Sequence, residues 1–235
     1  MNASRWLALA ALVLWAMPAA GQVAAPNVSD LPLVEVPATA GTGDILAVLL
    51  TGDGGWAVPD RGLSRELAAS GIPVVGLNTL KYFWTAKTQE QAAADLDRIM
   101  RHYLEAWHKT KAVLIGYSLG ADVLPFMMNR LPGDLQARVG TVVLMGPSDS
   151  AEFEFHLGDW LGRGPGKNAV PTIPEIEKIR PEAVLLCVYG EGDKDQICGR
   201  LDPKRVRSVM IPGGHKVGGG YEPVAAAILD SLKKR

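Results

Sequence analysis

Hydrophobic positions along the chain fall into short apolar runs that alternate with stretches of helical spacing. Runs at 44–50 (DILAVLL), 72–77 (IPVVGL), 111–115 (KAVLI), 139–145 (VGTVVLM), 183–189 (AVLLCVY) and 205–211 read as strands, and 31–36 as a further edge strand. Between them, 60–70 reads as a helix stopped by Gly71. A long helix begins at Thr88, with Gln91 placed for a capping box. Along it Ala92, Leu96, Ile99, Met100, Tyr103, Leu104 and Trp107 recur at helical spacing. Residues 121–131, bent or started by Pro125, and 222–232 complete the helices. The strands are continuous apolar runs, as expected where both faces of a sheet are covered. Alternation of strand and helix then predicts an α/β fold: a mostly parallel sheet with helices on both faces.

Two stretches break the rhythm. Residues 1–21 carry Arg5, an apolar run from Trp6 to Met17 and small residues at Ala19 and Gly21, the pattern of a cleaved signal peptide and too short for a membrane span. Residues 22–30 read as a linker before a domain at 31–235. The mature chain is therefore expected to be soluble and exported, with no transmembrane segment. Residues 148–181 are irregular, rich in proline, with Phe153, Phe155, His156 and Trp160 and a glycine-rich centre. An insertion of this length after a strand is expected to form a lid over a site.

Composition narrows the chemistry. There are 24 Lys and Arg against 25 Asp and Glu, a formal net charge of -1 that leaves no footprint for nucleic acid. Two cysteines remain after export, Cys187 and Cys198, and an oxidising compartment predicts a bridge between them. No metal site and no cofactor are expected.

The sharpest motif is Gly116-Tyr117-Ser118-Leu119-Gly120, between a strand and a helix, which is the context of a nucleophile elbow. Ser118 is the expected nucleophile. A hydroxyl needs a base, and the base needs an orienting acid. His102 and His108 lie in the long helix and are read as surface residues. His215, after the last strand, is the expected base. The acid lies beyond strand 183–189, at Asp193 or Asp195, with Asp149 as an outside candidate; the order Ser, Asp, His is that of α/β-hydrolases. The oxyanion hole is assigned to the backbone amides of Leu119 and Asp53, the latter in the glycine-rich loop Thr51 to Trp56. Gly54, Trp56, Tyr117 and Trp84 are expected to line the substrate site, with Tyr82 and Phe83 on the same rim.

With these residues the chain resembles the VirJ/AcvB family of periplasmic α/β-hydrolases. The matching segments are LTGDGGW (50–56), LKYFWTAKT (80–88), GYSLGADVLPF (116–126), YGEGDKDQIC (189–198) and PGGH (212–215). The family often has Phe at the position of Leu119, which leaves a backbone donor unaffected. The resemblance implies hydrolysis of the aminoacyl ester of lysyl- or alanyl-phosphatidylglycerol at the inner-membrane surface, and a link to virulence and secretion-system proteins. It also implies Ser118, His215 and, within the K-D-x-x-C stretch, Asp195 as the triad. Phe153, Phe155 and Trp160 would then dip into the lipid headgroups, and Asp53, Glu152 and Glu154 would receive the ammonium. The alternatives are a hydrolase of other lipid or thioester acyl groups, and a non-catalytic secretion factor on the same fold.

Overall fold

The computed structural model describes residues 25–39, 41, 43–155, 166, 168–193, 196–215 and 221–233. The expected signal peptide, residues 22–24 of the linker, His156, Trp160 and Asp195 lie outside them.

Seven strands form one sheet: β1 (Leu33–Val36), β2 (Ile45–Leu50), β3 (Val74–Leu77), β4 (Lys111–Tyr117), β5 (Val139–Met145), and, after a two-stranded ribbon of β6 (Ser150–Ala151) and β7 (Val170–Pro171), β8 (Val184–Gly190) and β9 (Val206–Ile211). Their spatial order is β1-β3-β2-β4-β5-β8-β9. Only β1 is antiparallel, pairing Leu33 with Leu77 through Val36 with Val74. The parallel strands need crossovers, and these are supplied by α1 (Val58–Ala69), α3 (Gln89–Ala106), α4 (Leu119–Asn129) with α5 (Gly133–Arg138), and α6 (Ile173–Glu177). The short α2 (Thr79–Tyr82) follows β3, and α7 (Glu222–Lys233) closes the fold.

Alternate residues of each strand feed two cores. Leu46, Val48, Leu50, Leu114, Val142 and Leu144 pack with Leu96, Ile99 and Met100 of α3 and with α4. Ala47, Leu49, Val113, Ile115, Val143 and Met145 face Leu63 and Leu67 of α1 and Val224 and Ile228 of α7. Burial on both faces is why the strands read as unbroken apolar runs. The chain leaves β2 for β3 on one side and returns through α3 to β4 on the other. That reversal opens a crevice at the carboxyl ends of β2 and β4, where open α/β sheets bind ligands.

The Thr88 and Gln91 capping box forms as expected, with the Gln91 amide donating to Thr88 Oγ1 at 3.1 Å and the Thr88 amide to Gln91 Oε1 at 2.9 Å. Helix α4 begins two residues earlier than expected, and Pro125 lies inside it rather than starting it. Its buried Val123, Leu124, Phe126, Met127 and Met128 hold the helix through the proline. Residues 25–30 are not a loose linker. Val28 is buried in the first core, Arg98 grips the carbonyl of Asn27 and the carboxylate of Asp30, and half-buried His102 lies 2.8 Å from the Pro26 carbonyl.

The insertion is also more structured than its composition suggests. β6 pairs with β7, and Ile176 and Ile179 are buried. Glu175 of α6 receives Asn129 and Arg130 from α4. Phe153, expected in the lid, packs edge-on against Phe83 and Phe126 instead. Of the expected lid 148–181, residues 156–165 and 167 lie outside the described residues.

Buried Asp60 contributes to the pH dependence of the fold. Asp60 is 1% exposed, caps the Ala57 amide at 2.9 Å through Oδ2, and has no partner for Oδ1 among the described residues. Burial pushes its carboxyl up to about 6, above the ordinary 3.8. The folded state therefore holds a proton that the unfolded chain has released, and stability falls as pH rises between those values. The cost above pH 6 is about 3 kcal/mol. Asp60→Asn, which can still cap Ala57, is expected to remove that part of the slope. Urea unfolding at pH 4.5 and 7.5 measures it.

Candidate active site

Ser118 occupies the turn between β4 and α4 with φ 51, a conformation rare for a residue with a side chain. The two flanking glycines explain how the turn can be this tight. A Cβ on Gly116 would lie 2.4 Å from the Gly120 carbonyl oxygen, and one on Gly120 would lie 2.3 Å from that of Leu50. Neither position has room for a side chain. The Ser118 amide donates to the Met145 carbonyl at 2.8 Å, which ties the turn to the end of β5.

The loops after β8 and β9 are zipped together. Glu191 donates to the Ile211 carbonyl and Gly192 to that of Gly213, at 2.9 and 2.8 Å. Gly190 leaves no room for a Cβ, which would meet the Gly214 carbonyl oxygen at 2.3 Å. This brings two side chains together above the sheet. His215 Nε2 lies 3.0 Å from Ser118 Oγ, and His215 Nδ1 lies 3.0 Å from Asp193 Oδ2. The carboxylate accepts, so Nδ1 carries the proton and Nε2 is left to receive the one on Ser118. The Asp193 side chain is 4% exposed and that of His215 is 46%.

Of the two expected acids, Asp195 lies outside the described residues and Asp193 stands against the imidazole. The Asp193 amide also caps the end of β8 by donating to the Gly190 carbonyl at 2.9 Å. Asp149 faces elsewhere and pairs with Arg200. Gly146 supplies a floor that sequence reasoning missed: it has φ +60, and a Cβ there would come within 3.2 Å of His215 Cε1.

The glycine-rich loop after β2 is shaped from beneath. Thr79 Oγ1 donates toward the carbonyls of Thr51 and Gly52, at 2.9 and 2.8 Å, and the Gly120 amide also donates to Thr51. With those carbonyls held in the interior, Gly52 and Gly55 close a turn whose exposed tip is Asp53 and Gly54. A Cβ on Gly52 would lie 3.3 Å from Ser118 Cβ, so the base of this loop borders the nucleophile turn. The amide of Leu119 has no partner among the described residues. It begins α4, whose N-terminal end favours negative charge.

Three residues expected to line the substrate site make packing contacts of their own. Trp56 turns its ring onto Gly76 of β3 and packs against the second core, because the missing side chain there leaves a slot for it. Tyr117 is buried, stacks on the His215 ring and donates to the His215 carbonyl at 3.3 Å, so it supports the imidazole loop. Trp84 is 62% exposed and stacks on Phe155, with ring centroids 5.6 Å apart. Among the described residues no group of three or more His, Cys, Asp or Glu side chains is arranged to hold a metal. No helix among them is long and apolar enough to cross a membrane.

Cys187 of β8 is bonded to Cys198, with Cα atoms 5.6 Å apart, and the span they close contains Asp193. Both are buried. Closing a loop of this length contributes about 3 kcal/mol. A Cys187→Ala, Cys198→Ala double variant is expected to melt lower and to lose activity at temperatures where the fold persists, because the Asp193 loop is released first. Parallel melting and rate curves that decline together would count against this.

The architecture is that of the α/β-hydrolase fold, and solved structures share it. Est1E from Butyrivibrio proteoclasticus is 14% identical with a TM-score of 0.64, over 88% of this chain and 98% of that one. MenH from S. aureus is 14% identical with a TM-score of 0.61, over 86% and 98%. The Pyrococcus furiosus esterase Pf2001 is 16% identical with a TM-score of 0.58, over 87% and 93%. At these identities the likeness is one of fold. Residues 44–235 match the family described as bacterial virulence protein (VirJ), and the chain belongs to that family. A search of the curated proteins finds no match.

Proposed function

We propose that this protein is a periplasmic serine hydrolase that cleaves the aminoacyl ester of aminoacylated phosphatidylglycerol. The observation that carries the reading is the relay from Ser118 through His215 to Asp193, with both hydrogen bonds at 3.0 Å. Ser118 Oγ attacks the aminoacyl carbonyl while His215 Nε2 takes its proton. Asp193 holds the imidazole in the required tautomer and stabilises the imidazolium. The oxyanion is received by the amides of Leu119 and Asp53. His215 returns the proton to the departing glycerol oxygen, which leaves phosphatidylglycerol and an acyl-enzyme. Water, activated by the same imidazole, then releases the amino acid. The lipid substrate is what the resemblance of the shared motifs to the VirJ/AcvB family implies, and membership of the VirJ family supports it.

Exposed Trp84, backed by half-buried Phe155, suits a lipid surface. The two rings are stacked, with Trp84 just past the short α2 that follows β3, and aromatic rings favour the headgroup region. The experiment is hydrolysis of lysyl-phosphatidylglycerol in vesicles, compared with a short soluble ester. Replacing Trp84 and Phe155 together by Ser is expected to slow the vesicle reaction about tenfold and the soluble one less than about twofold. Equal losses would remove the pair from lipid docking. No release of the amino acid, together with no fluorophosphonate labelling of Ser118, would favour a non-catalytic secretion factor.

A further inference from the structure

A buried carboxylate that the reaction scheme leaves unused lies one turn into α4. Asp122 is 7% exposed, and it accepts two hydrogen bonds from one residue: the Ser148 amide at 2.6 Å and the Ser148 hydroxyl at 2.8 Å. Ser148 ends the turn that follows β5. The other end of that turn is held by Ser118 itself, whose amide donates to Met145. The turn 145–148 is thus strapped at both ends to the segment 118–122. Between the straps Gly146 lies against the imidazole of His215 and donates its amide to Val188 of β8 at 2.8 Å.

We propose that Asp122 is a positioning residue, holding the 145–148 turn so that Gly146 keeps the His215 imidazole at hydrogen-bonding distance from Ser118. The inference rests on the reading of Ser118 and His215 as a working pair. Asp122 supplies the only side chain of this strap on the α4 side, since the link at Ser118 is made by backbone. Replacing it with Ala would leave the Ser148 amide buried without an acceptor and free the turn to shift. The strap does not depend on charge. Ionised, Asp122 accepts both Ser148 bonds. Protonated, it donates to the Ser148 hydroxyl, which turns its own hydrogen to the Ser150 carbonyl 3.1 Å away. Burial pushes the carboxyl up to about 7, with the charge of Asp53 adding to the rise, so both forms occur near neutrality. An asparagine can reproduce the protonated form, accepting from the Ser148 amide and donating to its hydroxyl.

The test compares Asp122→Ala, Asp122→Asn and Ser148→Ala with the unaltered protein. One readout needs no turnover: the nitrogen-labelled imidazole spectrum of His215, assigned by its loss in His215→Gln. The other is kcat and KM on a soluble phenyl ester. In the unaltered protein and in Asp122→Asn, the spectrum should show one protonated nitrogen and kcat should agree within about threefold. In Asp122→Ala the two nitrogens should average, and kcat should fall roughly 10- to 100-fold with KM nearly unchanged. Ser148→Ala keeps its backbone bond to Asp122 and should fall between. An unchanged spectrum and kcat in Asp122→Ala would overturn the proposal. So would an Asp122→Asn as impaired as the alanine variant, which would make the charge the important property. Should Asp122→Ala fail to fold, an unaltered His215 spectrum in Ser148→Ala overturns it. If the unaltered protein neither turns over esters nor labels at Ser118, the hydrolase reading fails, while the spectra still decide whether the strap holds the imidazole.

Discussion

Ser118→Ala is expected to lower kcat roughly a thousandfold or more while the protein folds as before. The hydroxyl is half-buried at a turn whose shape comes from the backbone: φ 51 at Ser118 and the close approach of Gly116 to Gly120. Alanine keeps the Cβ, so it accepts the same turn at the same steric cost. The oxygen is hydrogen-bonded to His215 Nε2, and losing one half-exposed hydrogen bond costs only about 1 kcal/mol of stability. The chemical loss is of another order. Without the nucleophile there is no acyl-enzyme, and the base and oxyanion donors act on water alone. Hydrolysis of lysyl-phosphatidylglycerol and fluorophosphonate labelling should disappear together, at an unchanged melting temperature. Activity above a tenth of the original would refute the serine mechanism.

Asp193→Asn should be nearly as damaging, roughly a thousandfold or more in kcat, whereas Asp195→Asn should change it by less than about threefold. Asp193 Oδ2 stands 3.0 Å from His215 Nδ1 and is an acceptor only while it is a carboxylate. An amide turned with its nitrogen toward the ring would donate to Nδ1 and place the imidazole proton on Nε2, where it faces Ser118 with the wrong polarity. An amide turned the other way keeps the tautomer but does not stabilise the imidazolium formed in the attack. The side chain is 4% exposed, so solvent does little to replace the lost charge. The pair of variants, assayed on one soluble ester, ranks the two positions. The reverse ranking would return the role to Asp195, as the family resemblance alone suggested.

The sequence offered two neighbouring acids, and the described structure sets Asp193 against the imidazole. Asp193 and Asp195 are two residues apart on a loop without periodicity, so no hydrophobic pattern says which one turns toward the sheet. The choice is made by contacts distant in sequence: Gly192 on Gly213, Glu191 on Ile211, and the Gly190 backbone against Gly214. The packing of Trp56 was hidden for a similar reason. An aromatic beside a glycine-rich loop suggests a pocket wall, but the slot that receives its ring is made by Gly76, on a different strand. Gly146 and Asp122 gave no signal at all. A glycine after a strand and an acid in the first turn of a helix are ordinary in sequence, and their importance lies in what packs against them.

The sequence by itself determined the architecture, because each strand and helix carries a local signal of its own. Unbroken apolar runs require two covered faces, the helical spacing in α3 requires one buried face, and Thr88 with Gln91 marks where that helix starts. It determined the nucleophile elbow too, since the strain of that turn is met by glycines two residues away on either side, all within one short motif. The order in which strands pair, the carboxylate that reaches His215, and the turn that supports its imidazole belong to the tertiary structure. They depend on groups tens of residues apart meeting at distances near 3 Å, and no local pattern encodes such a meeting. The chemistry proposed for the protein lies where these two kinds of information join: a serine legible in the chain, and a histidine and aspartate aligned with it only by folding.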